Sequence, residues 1–190
     1  FVREDFFACL SCVREGVDRV RAIQQDLRSF LRGNVDDAAN HEADVNDGLR
    51  TTVEMMRRGL PPGVTIGLEL GEIPPIRMKL GPLKQVFLNL IQNAMDAMGN
   101  SGSIDVKSAF DGQWISIRVT DDGPGISADV RPLIFEPFFT TKGVGKGSGL
   151  GLAVCRQILT GHGGDVFLDE DTSRTSFVIL LPATAEQRVA

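Results

Sequence analysis

The sequence predicts an α+β fold: a two-layer α/β sandwich with a mixed, largely antiparallel sheet and helices on one face, preceded by one long N-terminal helix. Three observations predict it. Strand patterns at 64–70, 103–110, 114–120, 165–170 and 175–181 interleave with helical patterns at 44–59, 82–99 and 150–161. Two of those strands are separated only by Asp-Gly-Gln, a hairpin connection. Residues 4–32 run without a proline, and Phe6, Leu10, Val13, Val17, Val20, Leu27 and Leu31 recur four and three apart, interrupted by Gln24.

Each element has a local cause. The 4–32 pattern is a narrow heptad seam, so that helix needs a partner, and Gly33 ends it. The polar, acidic stretch that follows reads as a linker, which gives the expected organisation: 1–33 helix, 34–43 linker, 44–184 folded domain, 185–190 tail. The helix at 44–59 stops before Pro61 and Pro62. Val64 to Leu70 alternates apolar and polar, as a half-buried strand should. The next helix opens after Pro82, and the one at 150–161 ends at Gly161.

The chain has 190 residues, 42% hydrophobic and 24% charged, a composition that supports a packed core rather than disorder. A net charge of -5 argues against a general grip on nucleic acid. No apolar run approaches the roughly 20 residues that span a bilayer, so membrane contact by this piece is not expected, and a cytoplasmic setting is. The opening residues show neither a basic leader nor a start methionine, which suggests a piece of something longer. The odd cysteine count, Cys9, Cys12 and Cys155, gives no disulfide framework. Cys9 and Cys12 read as small apolar positions on a helix face or as a redox or metal pair, and no second pair completes a zinc site.

Chemistry concentrates in four blocks. On the helix at 82–99, a step of about 100° per residue gathers Phe87, Leu88, Leu90, Ile91, Ala94, Met95 and Met98 on one broad face. Asn89, Asn93 and Asp96 fall on the other. Solvated faces usually carry Lys, Glu, Gln or Arg, whereas Asn and Asp are mediocre helix formers. Their oxygens four apart suit either solvent or a hard cation such as Mg2+. The block TDDGPGI follows a strand directly, with Asp121 at its end and Gly123 and Gly125 flanking a proline. It reads as an Asx-turn loop or as a carboxylate facing a ligand amino group. FEPFFTTK (135–142) places three phenylalanines in a loop, either a lid hinge or a loop anchored in the core. In GVGKGSGLGLAV, glycines recur every second residue from Gly143 to Gly151 and feed into a helix. Free N–H groups there attract phosphate, and Lys142 and Lys146 add positive charge. The spacing is not that of a P-loop, and no strand precedes it as a dinucleotide fold requires.

NLIQNA, DDGPG, FEPFFTTK and GKGSGLGL, in that order and spacing, resemble the N, G1, F and G2 boxes of bacterial sensor histidine kinases, whose ATP-binding fold is shared with DNA gyrase, mismatch-repair ATPases and a heat-shock chaperone. RTSF (174–177) resembles the last family block, with Arg174 where a glycine is usual. The resemblance covers roughly residues 44–184 and implies ATP and Mg2+ as cofactors. It implies that Asn93 ligates the metal, that Asn89 assists at metal or phosphate, and that Asp121 holds the adenine amino group with support from Thr175. Lys142, Lys146 and the run Gly147, Ser148, Gly149, Leu150 and Gly151 would wrap the phosphates, with Gly123 and Gly125 shaping the base pocket; Asp96 would take an outer-shell water contact. Asn89 and Lys142 are the expected catalytic pair. The N-terminal helix resembles the second helix of the family's dimerisation and phosphoacceptor hairpin, so a homodimeric parent and a response-regulator receiver domain are the implied partners. The first helix of that hairpin, with its reactive histidine, is not in this sequence. His41 reads as a linker residue, and His162 as a cap on helix carbonyls. An amide at Asn89, where hydrolytic relatives carry Glu, favours a kinase over a hydrolase. The alternatives are an anti-sigma-type serine kinase and a nucleotide-gated interaction module.

Overall fold

The structure, a computed structural model, describes residues 16, 17, 24, 42–143, 147–170 and 172–183. Residues 16, 17 and 24 are helical. The remainder of the expected N-terminal helix, Cys9 and Cys12, His41 and the 185–190 tail lie outside the described residues.

A five-stranded sheet forms one layer: β2 (Gly63–Leu70), β4 (Ser101–Phe110), β5 (Trp114–Asp121), β7 (Thr175–Pro182) and β6 (Asp165–Leu168), in that spatial order. The β2–β4 pair is parallel and the others antiparallel, which makes the sheet mixed as expected. Helices α1 (Val45–Arg57), α2 (Leu80–Met98) and α3 (Gly151–Thr160) form the second layer. The β4–β5 connection is the expected tight turn: Asp111 Oδ1 accepts from the N–H groups of Gln113 and Trp114 at 2.9 and 2.7 Å.

The core lies between the layers because each element is apolar on one side. Along α2, Leu83, Val86, Phe87, Leu90, Ile91 and Ala94 are buried, a helical stripe. They meet Ile104, Val106, Ile115, Ile117 and Ile179 from alternate positions of the strands. Each of these side chains larger than alanine contributes about 1.5–3 kcal/mol by leaving water. The helix ends at Gly99, whose φ of 72° suits glycine and whose N–H caps Met95 O at 3.1 Å. Buried Asn46 on α1 is satisfied by Ser108 Oγ, which donates to its Oδ1 at 2.7 Å, while its own Nδ2 donates to Gly71 O at 2.9 Å. That pair fixes α1 over the sheet.

Two expectations change. The linker is not wholly unstructured: Glu42–Ala43 forms β1, paired antiparallel with β3 (Ile76–Arg77), and Asp44 then caps α1 by accepting from Asp47 N. Two-residue ladders carry no readable alternation. Helix α2 also begins at Leu80, before Pro82. A first-turn proline is tolerated because its missing N–H would have had no partner there. Among the described residues no helix is long and apolar enough to cross a membrane.

Candidate active site

Between α2, the 121–149 segment, the start of α3 and the loop before β7 lies an open cleft of about 1400 Å³. Its wall from α2 carries Asn89, Asn93 and Asp96, the face that the helical pattern sets opposite the core. Asn93 Oδ1 and Asp96 Oδ2 converge on one cation, the Lys142 ammonium, which donates to them at 3.1 and 2.5 Å. Two oxygens one helical turn apart therefore share a single positive charge, and both are of the hard-oxygen type that Mg2+ takes as ligands. Asn89 is placed differently. Its Nδ2 donates to Gly151 O at 3.1 Å and its Oδ1 accepts from Gln85 Nε2 at 3.0 Å, so this amide joins α2 to the first residue of α3. Among the described residues no three His, Cys, Asp or Glu side chains form a metal cage.

The opposite end of the cleft is built by the sheet. Asp121 closes β5, faces Thr175 across the β5–β7 ladder and is only 3% exposed. Burial pushes its carboxyl above the usual carboxylate range; the Gly123 N–H, the Thr175 hydroxyl and the Arg174 charge pull it back. Gly123 is needed there: its N–H donates to Asp121 Oδ1 at 2.9 Å, and a Cβ would stand 2.7 Å from that oxygen. Gly125 turns the chain onward with a φ of 83°.

The segment between is partly anchored. Phe135 packs edge-on against Phe177, with ring centroids 6.3 Å apart, and Phe139 also packs on the core. Phe138 instead is 67% exposed and holds a φ of 69°, a left-handed backbone that costs a phenylalanine about 1–3 kcal/mol. It is held by Gly149, whose carbonyl accepts from Phe138 N at 2.9 Å; a Cβ at Gly149 would stand 2.4 Å from Phe138 C. The core-anchored reading of the aromatic block thus holds for two of its rings. His162 caps α3 as expected, its Nδ1 2.8 Å from Ile158 O.

Gly147, Ser148, Gly149 and Gly151 line the cleft along with Lys142 and Thr175. Leu150 does not: its side chain is 1% exposed and belongs to the interior, so only its backbone belongs to the loop. Lys146 lies outside the described residues. Sequence reasoning missed the loop before β7, whose Asp169, Thr172 and Ser173 also line the cleft. The one available signal there was the charged Arg174 where the resembling block has glycine.

Residues 79–185 match the family described as histidine kinase-, DNA gyrase B- and HSP90-like ATPases. The chain belongs to that family, and the part that matches is an ATP-binding catalytic domain of the sensor histidine kinase type. The sensor kinase CckA of Brucella abortus (strain 2308) is 30% identical over 94% of this chain and 20% of its own length. The C4-dicarboxylate transport sensor protein DctB of Rhizobium meliloti (strain 1021) is 35% identical over 90% of this chain and 28% of its own. The chain thus spans less than a third of either relative. Among solved structures, the catalytic domain of histidine kinase ThkA superposes with a TM-score of 0.68 at 30% identity, over 78% of this chain and 98% of that one. Full-length ShkA in complex with AMPPNP gives 0.77 at 27% identity, over 94% and 39%.

Proposed function

We propose that this chain is the catalytic part of a two-component sensor histidine kinase, which moves the γ-phosphoryl of Mg-ATP to a histidine on a dimerisation helix that is not among these 190 residues. Residues 44–184 would form the catalytic domain and 1–33 part of the dimerisation hairpin. One observation carries the reading: Asn93 and Asp96 aim two oxygens at the Lys142 ammonium at one end of a cleft whose other end is a buried carboxylate.

Each residue then has a task. Asn93 would hold Mg2+, which neutralises charge on the phosphate oxygens when bound, and Asp96 would act through a bound water. Asp121 would accept a hydrogen bond from the adenine amino group, with the Thr175 hydroxyl fixing its orientation and Gly123 and Gly125 leaving room for the base. Lys142 would leave its α2 partners for the phosphates, joined by Lys146 and by the backbone N–H groups of 147–151 ahead of α3. Asn89 cannot take a proton from water, and both ends of its amide are engaged, so water is not activated there. An imidazole nitrogen needs no such base, and positioning plus charge neutralisation suffices. A response-regulator receiver domain would accept the phosphoryl next, from a homodimeric, cytoplasmically exposed parent.

The test supplies the chain with a separate phosphoacceptor hairpin and γ-labelled ATP. Acid-labile label on the histidine is the expected result. Acid-stable label on serine would favour a serine kinase, and nucleotide binding with no transfer would favour a gated interaction module; either would displace the proposal.

A further inference from the structure

We infer that Arg174 is a positioning residue for nucleotide recognition: it clamps the strand end that carries Asp121 and holds a positive charge beside the base-recognising carboxylate. The inference rests on the adenine role proposed for Asp121. Arg174 immediately precedes β7, and its side chain reaches back across two strands of the sheet. Its Nε donates to Asp121 O at 3.3 Å. One terminal nitrogen donates to Asp105 Oδ2 at 2.7 Å, and the other to Ser103 O and Oγ, both at 3.2 Å. A guanidinium has the planar fork these directions require; a lysine ammonium does not.

The same network reaches the second aspartate of the DDG block. Ser103 N donates to Asp122 Oδ1, and Ser103 Oγ to Asp122 Oδ2, both at 2.9 Å. Arg174 and Asp122 therefore hold Ser103 from two sides, and the turn that launches Gly123 is tied to β4. Arg174 lines the cleft beside Asp121 and Thr175, whereas Asp105 does not. Asp105 thus anchors the far side of the guanidinium without touching the ligand space. Charge acts in the same direction as geometry. Burial raises the Asp121 carboxyl, and the arginine opposes that rise. Other groups facing the carboxylate are the Gly123 N–H and the Thr175 hydroxyl, which also favour the ionised form, and Asp122, which disfavours it.

The experiment titrates the 190-residue chain with ADP and GDP from acid to neutral pH, for wild type and for Arg174→Gln, Arg174→Lys, Asp105→Asn and Asp121→Asn, with thermal melts to verify folding. The nucleotide's own phosphate ionisation is common to all five proteins, so differences between profiles belong to the protein. Arg174→Gln is expected to lower ADP affinity about tenfold at neutral pH, the scale of losing a charged hydrogen-bonding partner, and to move the acid limb of ADP binding to higher pH. Arg174→Lys keeps the charge, so its limb returns toward the wild-type position while part of the affinity loss persists. Asp105→Asn gives a smaller loss in the same direction. A uniform loss at every pH, with no shift of the limb, would mean that Arg174 is merely structural and would overturn the inference. If Asp121→Asn loses its preference for ADP over GDP while Arg174→Gln and Asp105→Asn titrate like wild type, the inference fails alone. If Asp121→Asn keeps full affinity and preference, the adenine reading fails and the inference with it.

Discussion

The two ends of the cleft are built by opposite means. At the α2 end the contacts are side chain to side chain: one lysine from the 121–149 segment bridges an amide and a half-exposed carboxylate. At the sheet end the contacts run through backbone: Asp121 is buried in a ladder, its turn is held by Gly123 N, and Arg174 grips the carbonyls of β5 and β4. The first end can exchange partners at small cost, because exposed ion pairs contribute at most about 1 kcal/mol. The second cannot shift without breaking strand hydrogen bonds. A site that takes up a cation and phosphates, as proposed, and then releases them would gain from one soft wall and one stiff wall.

Breaking the stiff wall should have the largest effect. Asp121→Ala is expected to weaken adenine nucleotide binding by about 100-fold or more and to abolish discrimination against guanine, as calorimetric titration would show. The same carboxylate also burdens the fold. Its raised pKa means that folding favours its protonated form, so its contribution to stability declines as pH rises from the ordinary aspartate range through the raised value. Asp121→Asn should therefore raise the melting temperature of the nucleotide-free protein above that window. Below it, where both states are protonated, the two proteins should melt alike.

On the soft wall, Lys142→Met should lower nucleotide affinity about tenfold through the phosphates, leaving adenine-over-guanine preference unchanged. Loss of that preference would mean the two walls are not independent. In the segment between them, Gly149 packs backbone to backbone against Phe138. Gly149→Ala should cost about 1–3 kcal/mol in denaturant unfolding, because its φ of 68° and the short contact both oppose a Cβ. Asp96→Asn should have the smallest effect, under about 1 kcal/mol in stability, since it removes only one side of a partly exposed pair.

The same contrast explains what the sequence made legible. The α2 face could be read because helical periodicity places Asn89, Asn93 and Asp96 together without any knowledge of the fold. Asp121 was readable as a strand-end carboxylate followed by glycines. Lys142 was legible as a charge but not as the partner of Asn93, which lies 49 residues away in the chain. The role of Arg174 was hidden for the same reason, since its partners stand 53 to 71 residues earlier. The separate fates of Asn89 and Asn93 were invisible too, because they depend on where the first turn of α3 lands. The parallel β2–β4 pairing needed tertiary packing, as both parallel and antiparallel neighbours bury the same alternate residues.

The central claim is that Asn93 presents a cation-binding oxygen to a bound nucleotide. Its most direct test is ADP titration of wild type and Asn93→Ala, each with Mg2+ present and with Mg2+ chelated. Wild type should bind more tightly when the metal is present, and the variant should give one affinity under both conditions. An undiminished Mg2+ response in Asn93→Ala would contradict the account.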